Sequence, residues 1–273
     1  MALANTLQRV MTLIRVKALH LFSIALVLLT LSPVSAASDP RIVIILDDLG
    51  YRQTDTAALS LPQGVTFSVL PFTPLGRSLA DKASAQGRDI MLHMPMESLG
   101  ADNLGPAALT SAMLPQDISA TLERSLDSLP QAIGVNNHMG SKLTEQPLAM
   151  QSVMQVVKER GLFFVDSRTT AQSVAEGVAK KMGVPALRRH IFLDHQPTTA
   201  FMKIQFARLV HRAHQHGVAV AIAHPYPQTL AFLNDALAQE FDVRLVPVSD
   251  VLPAINEKIP DTQVADALLS APE

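Results

Sequence analysis

From Arg41 to Pro253, short unbroken apolar runs alternate with stretches of helical periodicity. The segments Ile42–Leu46, Val65–Leu70, Asp89–His93, Ala132–Asn137, Leu162–Val165, His190–Leu193, Val218–Ala223 and Val243–Val246 read as strands. Short continuous apolar runs of this kind mark strands buried on both faces, as in a parallel sheet covered by helices. Between them, Ile118, Leu122, Leu126 and Leu129 recur at i, i+4, i+8 and i+11, giving one apolar helix face behind Pro115. Met150, Val153, Met154 and Val157 repeat the pattern until Gly161 stops it, and Leu230, Leu233 and Leu237 repeat it after Pro227. Strands alternating with helices imply right-handed crossovers and a parallel sheet. Enough units recur to favour a (β/α) barrel, open to irregularity, over an open doubly wound sheet; the pattern does not decide closure. No internal repeat or low-complexity linker interrupts it, so a single α/β domain over residues 37–253 is the simplest organisation.

The flanks differ. Arg9, Arg15 and Lys17 precede the apolar run Leu19–Leu31, and Val34-Ser35-Ala36 supplies small residues for cleavage. That order predicts a secretory signal peptide over residues 1–36, with an uncleaved anchor as the alternative. The run is short for a membrane span, which needs about 20 residues, so the expected destination is the bacterial periplasm with no stable span after cleavage. Residues 254–273 lack sustained periodicity and read as a peripheral tail. One internal connection is long: Glu97–Leu114, rich in Gly, Asn, Pro and Ala, reads as a loop over a binding site.

Composition narrows the chemistry. A hydrophobic share of 48 % in 273 residues supports a substantial core, and a net charge of −2 offers no basic footprint for nucleic acid. Cysteine is absent, which excludes disulfides, thiolate metal sites and a cysteine nucleophile. A metal here must be held by His, Asp, Glu and water.

The first strand runs straight into Asp47-Asp48-Leu-Gly50. Paired carboxylates at the carboxyl end of a buried strand are where α/β proteins place metal ligands and bases. A cap or turn accounts for one aspartate, but two in tandem leave one over. The other strand ends add His93, Asn136, Asn137, His138, Asp166, Arg168, Asp194, His195 and His224. On a barrel these positions share one face, and sites on this fold are assembled that way. Taken singly, His93 also reads as a core histidine, and Asp166 with Arg168 as an ion pair that fixes a loop. Asn136 and Asn137 suit turns or substrate hydrogen bonds. His224, led out of the sheet by Pro225, can donate a proton near neutral pH. His211, His214 and His216 precede Gly217 at a helix end, on the opposite face from the strand ends, and read as solvated histidines. No P-loop, dinucleotide fingerprint or Gly-x-Ser-x-Gly elbow is present.

Asp47-Asp48-Leu-Gly, His93-Met-Pro-Met-Glu97, Gly134-Val-Asn-Asn-His-Met-Gly-Ser141, Phe164-Val-Asp-Ser-Arg168 and Ala223-His-Pro225 together resemble the divergent polysaccharide deacetylase family, in its order and across the mature chain. The resemblance implies an irregular (β/α)7-type barrel and removal of N-acetyl groups from amino-sugar glycans such as peptidoglycan, by water activated on a divalent metal, most simply Zn²⁺. It implies Asp47 as the base and Asp48 and His93 as metal ligands. The wider family's second metal histidine is replaced by Glu97, so the third ligand is expected to be His138, with Glu97 as the alternative. Arg168 is expected to stand in for an arginine beside the base. His224, oriented by Asp166, is expected to be the acid, and Asn136, Asn137 and Arg168 to face substrate. The altered motifs keep a second reading open, a periplasmic glycan-binding protein that has lost turnover. An ester or phosphodiester hydrolase is a third.

Overall fold

The computed structural model describes residues 39–100 and 103–252, so the expected signal peptide and the tail after 253 lie outside the described residues. Among the described residues the alternation becomes nine strands: β1 (Arg41–Leu49), β2 (Thr66–Val69), β3 (Ile90–Met96), β4 (Ala132–Met139), β5 (Phe163–Asp166), β6 (Ala186–Arg188), β7 (Ile191–Phe192), β8 (Val218–Ala223) and β9 (Arg244–Leu245). Six α-helices intervene: α1 (Gly76–Ala85), α2 (Pro115–Ser128), α3 (Pro147–Glu159), α4 (Ala175–Lys181), α5 (Thr199–His216) and α6 (Pro227–Leu237). The eight expected strands are all present. β6 was not expected, because three residues carry too little pattern to register. No helix among the described residues is long and apolar enough to cross a membrane.

Every strand pairing is parallel, in the order β6-β5-β4-β3-β2-β1-β8-β7, with β9 beside the start of β1. The sheet curls as a (β/α) barrel does, but β6 and β7, at its two edges, do not pair. The chain itself crosses that seam. The Arg189 N–H donates to Asp166 C=O on β5 and the His190 N–H to Val220 C=O on β8, both at 2.9 Å. Two residues thus join the edges that a regular barrel would zip with a ladder.

Alternation along the strands sorts side chains into two layers. Ile42, Ile44 and Leu46 of β1 pack with Leu79, Ile118, Leu122, Met150, Leu209 and Leu230 of the helices. Val43 and Ile45 belong instead to a smaller cluster with Met91, Phe163, Val165, Val220, Ile222, Val246 and Val248, which holds no residue of any of the six helices. That cluster fills the concave side below the strands' carboxyl ends. Continuing the same parity upward predicts what faces the mouth: Asp47 after Ile45, His93 after Met91, His224 after Ile222.

Gly134 shows how full the concave side is. A β-carbon there would clash with the Phe163 ring, which is buried in the cluster. Gly134→Ala is therefore expected to destabilise the chain by about 1–3 kcal/mol. A lowered urea midpoint at unchanged m-value is the measurement, and an unchanged midpoint contradicts the packing described.

Candidate functional site

Alternation alone would point Asp47 into the concave side and Asp48 away from it. The chain avoids this with an irregularity. The β1–β2 register shifts between Leu46 and Leu49, and Asp48 adopts φ +60°, a left-handed conformation rare for a residue with a side chain. Strain of this kind persists where surrounding structure imposes it and is common at functional sites. Gly50, at φ +125°, completes the turn, and the Asp55 carboxylate accepts from the N–H groups of Gly50 and Arg52 at 2.9 and 3.0 Å. Both aspartates therefore face the mouth, within a strand that runs on to Leu49 rather than ending at Leu46.

Three groups meet there. Asp48 Oδ1 lies 3.1 Å from His93 Nε2 and 2.8 Å from His138 Nδ1, and the two ring nitrogens are 3.2 Å apart. Two ligands about 2.0–2.1 Å from one tetrahedral ion stand about 3.3–3.4 Å apart, so the three atoms are spaced nearly as a bound ion would hold them. One carboxylate oxygen and two imidazole nitrogens are also a donor set that suits zinc. The residues fit a divalent metal.

Glu97 does not join them. A spacing of four brings side chains together on a helix, but β3 continues through Pro95, and four strand residues span about 13 Å. Glu97 instead accepts from Lys142 Nζ at 2.7 Å and the Ser111 N–H at 2.6 Å; these bonds, with the Lys142 charge, lower its pKa to about 2. It pins the long loop.

Asn136 is fully buried and has every hydrogen-bonding position filled. Its Oδ1 accepts from Ser68 Oγ at 2.6 Å and His93 Nδ1 at 2.8 Å; its Nδ2 donates to Asp47 Oδ1 at 2.9 Å and Ser167 Oγ at 3.3 Å. The His93 Nδ1–H is thereby fixed, which turns Nε2 toward Asp48. Asn137 has the opposite parity and is spent on turns, donating to Met139 C=O at 2.7 Å and accepting from the Ser167 N–H at 2.9 Å. Neither asparagine is free for substrate, contrary to expectation.

His224 and Asp166 are not partners either. Asp166 has the outward parity of Phe164 and accepts from the Arg168 N–H at 2.8 Å and Ser173 Oγ at 2.7 Å. Arg168, at φ +50°, folds its guanidinium onto Ser173 and Ala171 carbonyls of the same loop and lies 3.9 Å from Asp166. The pair fixes a loop. His224 is oriented by Asp194, whose carboxylate lies 3.0 Å from Nδ1 and accepts from the His224 N–H at 2.7 Å and Thr229 Oγ1 at 2.9 Å. Its other nitrogen, Nε2, faces the cluster 3.9 Å from Asp48 Oδ2. Asp194 could have been found from register, since Ile191 and Phe192 pair with Ala221 and Ile222, which places Asp194 opposite His224. The arginine near the base is Arg189 at the seam. Its guanidinium donates to Ser167 and Arg168 carbonyls at 2.6 Å, and its charge acts on Asp47 and Asp166.

Burial raises the Asp47 pKa, against the opposing pull of His93, His224 and Asn136. Burial also opposes charge on Asp48, but hydrogen bonds from His138 and His93 outweigh it and hold that carboxyl far below the usual range. Burial pulls His93 toward neutrality, yet the charges of Asp47 and Asp48 and its hydrogen bonds raise its pKa. A metal entering this cluster must displace protons, so its affinity rises with pH. His211, His214 and His216 lie at the far end of α5, beside the start of β8, where His214 meets Asp242 at 3.2 Å.

A family model described as divergent polysaccharide deacetylase matches residues 44–252. An uncharacterized protein of Haemophilus influenzae is 37% identical over 221 residues, spanning 80% of this chain and 78% of that protein. The protein YibQ of Escherichia coli K12 is 34% identical over 245 residues, spanning 89% and 75%. Among solved structures, ATU2773 of Agrobacterium tumefaciens C58 superposes with a TM-score of 0.74 at 26% identity, covering 80% of this chain and 92% of that one. A structure from Enterococcus faecalis V583 shares the fold alone, with a TM-score of 0.59 at 12% identity over 79% of this chain and 100% of that one.

Burial acts to lower the His224 pKa, but the Asp194 hydrogen bond and charge, with Asp48 and Asp47, raise it from 6.5 to about 9. A folded-state pKa above the unfolded one adds stability that is complete below pH 6.5 and lost as pH rises through about 9. In Asp194→Asn the largest of these upward effects is removed, so the imidazole midpoint followed by NMR in metal-free protein should fall well below that of the unaltered chain. The stability decline between those pH values should flatten with it. An unmoved midpoint contradicts the assignment of Asp194.

Proposed function

Since the chain belongs to the divergent polysaccharide deacetylase family, we propose that it is a periplasmic, metal-dependent hydrolase that removes N-acetyl groups from amino-sugar glycans. The observation that carries this reading is the meeting of Asp48, His93 and His138 beside a buried carboxylate on one side and a carboxylate-oriented imidazole on the other. Asp48, His93 and His138 would hold the metal, zinc by the donor set, and when bound it supplies a Lewis acid that polarises an amide carbonyl and acidifies water.

The remaining groups divide the proton work. Asp47, aimed by the Asn136 amide and raised in pKa by burial, accepts the proton of the attacking water. His224 holds a proton at neutral pH, presents Nε2 to the cluster, and gives that proton to the departing amine. A carbon–oxygen bond forms, the carbon–nitrogen bond breaks, and acetate and a free amino sugar leave. The alternative of a binder that has lost turnover drew on the altered second and third motifs; His138 beside Asp48 and His93 supplies the third ligand that Glu97 does not, which supports the catalytic reading. Periplasmic placement rests on the leader pattern of residues 1–36.

Purified mature chain with zinc should release acetate from N-acetylglucosamine oligomers or peptidoglycan, and a chelator should abolish the release. Asp47→Asn should lower turnover by about 10²–10⁴-fold. Absence of acetate from both substrates, while a reference deacetylase releases it under the same conditions, counts against the proposal.

A further inference from the structure

The chain has two tyrosines and no tryptophan. Both tyrosines stand beside the candidate site. Tyr51 follows Asp48 by three residues, and Tyr226 follows His224 by two and stacks on its ring at 5.7 Å and 29°. Tyr51, Phe72 and Leu99 are 49%, 53% and 69% exposed, one from each loop that leaves β1, β2 and β3. These are adjacent strands, and β1 and β3 carry Asp48 and His93. Among the described residues, the other exposed large apolar side chains lie on β4 or at and in helices.

The loops are tied together rather than merely near in sequence. The Leu75 N–H donates to Gly50 C=O at 2.9 Å, and a β-carbon on Gly50 would meet Thr73 Oγ1, so the Phe72 loop rests on the turn that presents Tyr51. The Tyr51 hydroxyl lies 3.2 Å from where a β-carbon of Gly105 would stand, against the long loop. The Leu99 N–H donates to Ser141 Oγ at 2.9 Å, three residues beyond His138. Phe72 has φ +54°, a strained conformation for a bulky side chain that gains little by packing. Exposed apolar side chains on loops that leave site-bearing strands mark a candidate ligand surface.

We propose that Tyr51 and Phe72 form a stacking platform for a pyranose ring of the glycan, next to the sugar whose N-acetyl group reaches the Asp48–His93–His138 cluster. A pyranose ring has an apolar C–H face and a hydroxylated rim. Stacking that face on exposed rings removes apolar surface from water while the hydroxyls stay wet. The ligand class rests on the deacetylase reading; the platform is a separate claim about these two residues.

The test is calorimetric titration of a β-1,4-linked N-acetylglucosamine hexamer into the mature chain carrying Asp47→Asn, which keeps the ligand intact. The same titration is made with Tyr51→Ala and Phe72→Gly added. The expected result is an affinity lower by about ten-fold or more, with zinc uptake unchanged. Thermal stability should be equal or higher, because glycine relieves the backbone at residue 72. Equal hexamer affinity with and without the two substitutions overturns the platform and leaves the deacetylase reading standing. If neither protein binds the hexamer or peptidoglycan fragments, the glycan reading falls and takes the platform with it. Self-association that disappears on substitution, with hexamer binding intact, assigns the surface to a second copy of the chain and overturns the proposal.

Discussion

The side-chain amide of Asn136 joins four separate segments on the concave side, and the geometry of the mouth depends on it. It holds Asp47 of β1, Ser68 of β2, His93 of β3 and Ser167 after β5, with no donor or acceptor left over. A buried polar network is stable when every member is satisfied, and losing one partner costs about 1–3 kcal/mol for each group left unpaired. The same amide that stabilises this arrangement sets the direction of a carboxylate and the tautomer of an imidazole. Packing and chemistry therefore act through one residue, and the cluster of Val43, Ile45, Met91, Phe163 and Val220 beneath it forms an apolar floor.

Two adjacent carboxylates acquire different properties from this setting. Asp47 is buried with one amide donor and its pKa rises; Asp48 faces two imidazoles and its pKa falls. Neighbouring groups whose environments push their pKa values apart are suited to separate tasks. The backbone makes the difference possible. Without the irregularity between Leu46 and Leu49, strict alternation would send Asp48 into the helix layer. The strain at φ +60° is balanced by the contacts that hold Asp48 between His93 and His138.

Apolar runs and helix faces made eight strands and the principal helices legible, because burial on both sides leaves a strong mark in composition. The three-residue β6 left none. At the mouth, Asp47, Asp48, His93, His138 and His224 were visible as polar residues ending apolar strands. What strand-end position alone missed was parity and register. Parity turns Asn137 and Asp166 away from the mouth, and the β7–β8 register sets Asp194 against His224. Arg189 was hidden because it belongs to the seam, where the chain crosses without a ladder. Glu97 stood as the alternative to His138 because it occupies the motif position of a second histidine, and on an extended strand that position is carried away from His93.

The assignment of the metal to Asp48, His93 and His138 is most directly tested by a crystal structure of the mature chain grown with zinc, with anomalous data collected at the zinc edge. The expected result is a peak within about 2.0–2.2 Å of an Asp48 carboxylate oxygen, His93 Nε2 and His138 Nδ1. A peak held by Glu97, or one at His211, His214 and His216 with none at the strand ends, would contradict it.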